Sequence, residues 1–328
     1  MARQFKIRAL KIAATIVLLW ALYRNVDAAA FKAAAAGLRV FPLVFFFPLC
    51  AFNMTLSAWR WRTLLRADGM DIPLRKLFAS YWIASFFNLF MPSNIGGDVF
   101  RIADIAGRSD APVGATVSVF MDRLVGFVAM AFLGFVFPLA GLRLIPAENC
   151  WIPLLAAAVF LCLIGAALIV SSRFFGRLAP KILRGKLRAK AEAIADKART
   201  SFEAYWRHPA ALAKCFAVSI VFQMLMVAAV WCVGESFGLG IPFAKYCIFV
   251  PMINLMESIP TTINGMGFRD MGYAVFFASA GVSEPKAAAG AAVIVYMMLT
   301  LIYASCGGLL FMARSRAAAD RKHPRKCG

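Results

Sequence analysis

Arg101 closes the segment Pro92-Ser-Asn-Ile-Gly-Gly-Asp-Val-Phe-Arg101, and Arg269 closes Pro260-Thr-Thr-Ile-Asn-Gly-Met-Gly-Phe-Arg269. Proline, isoleucine, glycine, phenylalanine and arginine coincide at a single offset of 168 residues. In each copy the proline ends a helix, because it lacks an N–H donor and restricts the residue before it. Gly96 and Gly97 in the first copy, and Gly265 and Gly267 in the second, permit tight turns with uncovered backbone amides. Asn94 and Asn264 add polar side chains to those turns. Asp98 is placed to cap the following helix, with Arg101 in its first turn. A helix start beside a guanidinium attracts anions, and the guanidinium grips phosphate through two parallel hydrogen bonds. The chemistry is headgroup recognition. The competing reading is that the arginines neutralise Asp98 and Asp270 or reach the membrane interface; an unpaired arginine deep in lipid is costly, so some partner is required.

Other residues bear on that choice. Glu257 precedes Ser258-Ile-Pro260 at the end of a short apolar stretch, where an acid reads as a proton-coupling group or an arginine partner. Asp122 and Arg123 are adjacent near the start of a span and read either as an interface ion pair or as part of the same site. Asn53, Asn88 and Asn254 suit hydrogen bonds between helices. Trp59, Trp61, Trp82, Trp151 and Trp206 suit the membrane interface. His208 and His323 lie far apart in basic stretches, and the eight cysteines contain no Cys-x-x-Cys pair, so neither a metal site nor a disulfide framework is expected. There is no phosphate-binding loop, zinc-helix motif or hydrolase elbow. No enzyme activity and no cofactor are expected; transport would draw on a gradient or run passively.

The elements that position these residues follow from hydropathy. The chain is 62% hydrophobic with mean hydropathy +0.75, which marks an integral membrane protein. Spans are expected near residues 7–24, 40–63, 116–140, 150–171, 210–234 and 287–312. The first follows Arg3, Lys6, Arg8 and Lys11 and imitates a secretory signal, but is read as an uncleaved span. Two pieces, 77–91 and 244–257, are too short to cross alone. Fifteen helical residues reach about 22 Å against a hydrocarbon core of about 30 Å. Each runs into one copy of the repeated motif and is followed by another short piece, 98–108 or 268–281, which predicts two re-entrant helical hairpins.

Charge sets the orientation. Basic residues cluster at 3–11, 60–76, 101–123, 173–214 and 314–326, which holds 29 of the 36 lysines and arginines. With cytoplasmic N- and C-termini, all five clusters fall on the cytoplasmic side. The expected fold is an all-α polytopic membrane protein made of two inverted-topology repeats, each with three full spans and a re-entrant hairpin. The first repeat covers 1–145 with its motif at 92–101. The second covers 146–313, with the motif at 260–270 and a basic amphipathic helix at 173–207. A basic, disordered tail follows at 314–328. Helix 173–207 carries ten basic and three acidic residues, and reads either as lying on the cytoplasmic leaflet or as a solvated linker. The net charge of +20 belongs with the positive-inside rule and anionic headgroups, and no nucleic-acid partner is expected.

The motif Pro92 to Arg101, following a short apolar helix, resembles the signature of the flippase-like transmembrane domain. That family includes lysylphosphatidylglycerol synthase/flippases, stand-alone bacterial inner-membrane proteins and hopanoid-associated transporters. Arg60-Trp61 with Leu64-Leu65, the pair Asp122-Arg123, and Pro260 with Gly265-Met-Gly267-Phe-Arg269-Asp270 strengthen the resemblance. Asp270 stands where the family motif usually closes with glutamate. The resemblance covers nearly the whole chain and implies lipid translocation across the cytoplasmic membrane. With only a short basic tail at the end, no soluble synthase domain is expected. The leading expectation is therefore a flippase for an anionic, glycosylated or hopanoid-type lipid, working by alternating access. Arg101, Arg269 and the motif's Gly and Asn residues would bind the headgroup. Asp98, Asp122, Arg123, Glu257 and Asp270 would pair with the arginines or couple transport. The alternatives are a non-transporting scaffold that recruits a lipid-biosynthesis enzyme, and an ion-coupled carrier of small anions.

Overall fold

A computed structural model of the chain describes residues 36–90, 95–107, 112–141, 154, 158, 160–162, 165, 186–257, 268–282 and 284–322. Every regular element among them is helical: α1 Val40–Val44, α2 Phe46–Ala67, α3 Leu74–Phe90, α4 Ile95–Ala106, α5 Pro112–Ala140, α6 Lys186–Arg207, α7 Pro209–Ser236, α8 Phe243–Glu257, α9 Phe268–Ala280 and α10 Pro285–Lys322. Four stretches are long and apolar enough to cross a membrane: Val40–Ala67, Pro112–Ala140, Pro209–Ser236 and Pro285–Ser315. They match four of the six expected spans. The expected span 7–24, most of 150–171, and part of the basic helix, 173–185, lie outside the described residues.

The four short helices fall where hydropathy put them. α3 packs on α4 and α8 on α9, with the two motif turns between them. The turn residues Pro92, Ser93 and Asn94 in the first copy, and Pro260 to Gly267 in the second, lie outside the described residues, including Asn264, Gly265 and Gly267. In the first copy the helix starts earlier than expected. α4 begins at Ile95, so Gly96, Gly97 and Asp98 are already helical and Arg101 falls in the second turn.

Packing is reciprocal between the two halves. α2 lies against α7, the short helix α3 against the last helix α10, and the short helix α8 against α5. Small residues permit the last two contacts. Gly134 of α5 faces Met252, Leu255 and Pro251 of α8. Gly307 of α10 lies so close to the Trp82 carbonyl, and Gly308 to the Phe86 ring, that a Cβ on either would collide. The same seam stacks Trp82 on Tyr303 at 5.5 Å, and the Trp82 indole donates to the Tyr303 carbonyl at 3.0 Å. At its far end Arg314 donates to Asp104 of α4 through both terminal nitrogens.

α10 turns Ile294, Met298, Leu301, Ile302, Leu309 and Met312 outward at helical spacing, as a lipid-facing stripe requires. It also corrects one expectation: the helix runs through Arg314 to Lys322 where a disordered tail was expected. The basic helix α6 is docked by its C-terminal end. Tyr205 is fully buried beside Leu64, Val117, Met121 and Cys215. Just past α2, Asp68 hydrogen-bonds Ser201 of α6, and burial raises its carboxyl above the ordinary range against the opposing effect of that bond.

Candidate functional site

The first motif's arginine is held inside a charged cluster assembled by five helices. Arg101 on α4 donates from Nη2 to Asp122 Oδ2 on α5 at 2.8 Å. Arg60, near the end of α2, donates from Nε to the other oxygen of Asp122 at 2.7 Å and from Nη1 to Ser219 Oγ on α7 at 2.9 Å. The Tyr81 hydroxyl on α3 donates to Asp122 as well. One carboxylate therefore accepts from three side chains, and it is 1% exposed, beside Arg101 at 3%. The guanidinium of Arg101 lies between two ring faces, 3.9 Å from the centroid of Tyr81 and 4.2 Å from that of Trp61. Trp61 is fixed in turn by its N–H, which donates to Ser118 Oγ at 3.1 Å.

Asp98 extends the cluster. It accepts from Arg101 Nη1 at 3.4 Å and from Arg123 Nε at 2.9 Å. It is an ion-pair partner of two arginines and not the helix cap that the sequence led us to expect. The Gly97 amide is likewise not left open for an anion: it donates to Asn88 Oδ1 on the opposing helix at 2.7 Å. A Cβ at Gly97 would lie 2.5 Å from the Ala84 carbonyl oxygen, so this glycine serves the close approach of α3 and α4. Gly96 is buried at the same crossing.

The second motif's arginine is held differently. Arg269 is 3% exposed on α9, and its Nη1 reaches Glu257 Oε1 at 3.5 Å. Its Nε and Nη2 are buried with no hydrogen-bond partner among the described residues. The Tyr296 ring of α10 lies 5.8 Å from its guanidinium carbon. Asp270, the next residue, is buried too.

A cavity of about 340 Å³ joins the two regions. Arg60, Tyr81, Asn88, Asp98, Arg101, Asp122 and Arg123 line it from the first half. Phe222, Gln223, Met226, Asn254, Glu257 and Tyr296 line it from the second half. Asp122, Arg123, Glu257 and Arg101 all line this cavity, with Arg269 one contact behind Glu257.

Three participants were not placed in the site from sequence, although Arg60-Trp61 forms part of the family resemblance. Arg60 and Tyr81 are cluster members, and Trp61, expected at the interface, is fully buried under Arg101. The signal for Arg60 was present, since it is an arginine in the last turns of an otherwise apolar span. Trp59 and Trp206 are exposed as interface residues should be, and Trp151 lies outside the described residues.

A helical bundle whose spans enclose a charged cavity between two halves belongs to the polytopic membrane proteins. Residues 8–308 match the family described as the lysylphosphatidylglycerol synthase TM region, and the chain belongs to that family. No curated protein matches the chain.

Proposed function

We propose that this protein moves an amphiphilic lipid across the bacterial cytoplasmic membrane, with the headgroup in the central cavity and the tails in the bilayer. The observation that carries the proposal is the cavity itself, a polar chamber lined by both halves of the chain and flanked by both motif arginines. Polar and charged groups inside a membrane bundle mark a substrate pathway, because burying them without use is costly. Membership of a family named for a lipid-modifying protein's membrane region supports the same reading.

The reciprocal packing supports two repeats related by inversion, at 1–145 and 146–313. Each short-helix pair leans on the last span of the other half. In this reading the two pairs are re-entrant hairpins that approach the cavity from opposite faces, both termini are cytoplasmic, and access alternates as the hairpins shift. The chain acts as a transporter and catalyses no covalent step.

The test is a lipid-flip assay in liposomes containing the purified full chain. Met226→Trp fills the cavity without removing a charge, and Arg269→Ala removes the less firmly held arginine. Both should slow tail-labelled lipid movement well below the wild-type rate. Movement at the wild-type rate in both variants would reject the cavity as the pathway.

A further inference from the structure

Among the described residues, the charges around the cavity balance. Arg60, Arg101 and Arg123 line it against Asp98, Asp122 and Glu257. Adding the pair behind them, Arg269 and Asp270, makes four arginines to four carboxylates. Among the described residues no lysine or histidine lines the cavity. The motif segments 91–94 and 258–267 contain no charged residue in sequence. A net anionic headgroup entering this chamber would leave one buried charge uncompensated, a heavily penalised arrangement. A headgroup carrying both signs would not.

The two halves of the site also differ in how tightly their charges are held. Asp122 accepts from three side chains, and Arg101 has a short bond to it, a longer one to Asp98 and two ring faces, with its Nε alone unpartnered among the described residues. Among the described residues Arg269 has one long hydrogen bond, to Glu257, one distant ring, Tyr296, and two buried donors without a partner. Glu257 faces the cavity, with its side chain 23% exposed. Here the pair can be opened by exchange: a phosphate takes the donors of Arg269, and Glu257 turns to a cation.

We propose that the cavity selects a zwitterionic phospholipid headgroup, with its phosphate at Arg269 and its ammonium at Glu257. This rests on the transport reading for its biological meaning, but binding tests it separately. The experiment is calorimetric titration of the detergent-purified full chain at neutral pH. The probes are dihexanoyl phosphatidylethanolamine, dihexanoyl phosphatidylglycerol and a dihexanoyl glucosyl glycerolipid.

Phosphatidylethanolamine should bind more tightly than either of the others by about tenfold, ~1.4 kcal/mol. Glu257→Gln gives the site one net positive charge and should shift the preference toward phosphatidylglycerol. Arg269→Gln gives one net negative charge and should shift it the other way. Equal or tighter binding of phosphatidylglycerol by the wild type overturns the proposal, as does a glucolipid that binds as well as phosphatidylethanolamine. A preference that stays put in both variants overturns it too. Lipid flipping without headgroup preference rejects this inference alone. Binding preference without flipping rejects the transport reading alone.

Discussion

Replacing Asp122 with asparagine keeps the side chain's size and removes the charge on which Arg60, Arg101 and Tyr81 converge. The native carboxylate accepts at 2.7 Å from Arg60 and 2.8 Å from Arg101, with the tyrosine hydroxyl as a third donor. Asparagine offers one acceptor oxygen and turns an NH2 group toward a guanidinium. Breaking a buried ion pair from one side costs about 3–5 kcal/mol, because the partner charge is stranded. Two features here soften that cost. Arg60 keeps the Ser219 hydroxyl at 2.9 Å, and Arg101 keeps the ring faces of Trp61 and Tyr81. Cation–π contacts contribute about 0.5–2 kcal/mol. The expected loss is therefore at the lower end, ~3 kcal/mol. Reversible unfolding of the full chain in mixed micelles, followed by circular dichroism, measures it. Arg123→Gln is the comparison. That pair, at 2.9 Å to Asp98, has side chains 35% and 19% exposed and should cost no more than about 1 kcal/mol. If Asp122→Asn unfolds at the wild-type midpoint, or costs less than Arg123→Gln, Asp122 is not the centre of the cluster.

Gly97→Ala should destabilise the protein by about 1–3 kcal/mol, because its Cβ meets a backbone carbonyl that cannot yield. Asn88→Ala, which removes only the bond to the Gly97 amide, should cost ~1 kcal/mol; the same unfolding measurement ranks the two, and equal losses would reject the steric argument. Asp68 makes a pH prediction. Its carboxyl is raised in the folded protein, so ionising it is harder there than in the unfolded chain. Stability should fall as pH rises from the ordinary carboxylate value through the raised one. Asp68→Asn should flatten that slope, and an unchanged slope in the variant would rule Asp68 out as its source.

Hydropathy made most of the scaffold legible. Four spans and four short helices stand close to where runs of apolar residues placed them, because in a bilayer length and polarity leave few alternatives. The charged centre was less legible. Asp122 meets Arg101 from 21 positions away and Arg60 from 62, and neither spacing has a local signature. Trp61 looked like an interface residue by type, and only the arrival of Arg101 from α4 explains its burial. The amide of Gly97 looked available because the approach of Asn88 depends on how α3 and α4 cross. The repeated motif suggested two equivalent arginines. The structure makes them unequal, since Arg101 has two carboxylates and two close rings while Arg269 has, among the described residues, one carboxylate at 3.5 Å and one ring at 5.8 Å.

The glycine seam between α3 and α10 bears on how the chain is made. Trp82 and Tyr303 are 221 residues apart, so the first pair of short helices emerges from the ribosome long before its packing partner exists. Until α10 is inserted, the carbonyl at Trp82 and the Phe86 ring have no glycine surface to close against. Closing so long a loop is entropically unfavourable until the last span can supply its contacts. A polypeptide stalled before Gly307 would hold its early helices in the bilayer without the surface that fixes them, a form that membrane proteases or insertases could tell from the finished protein.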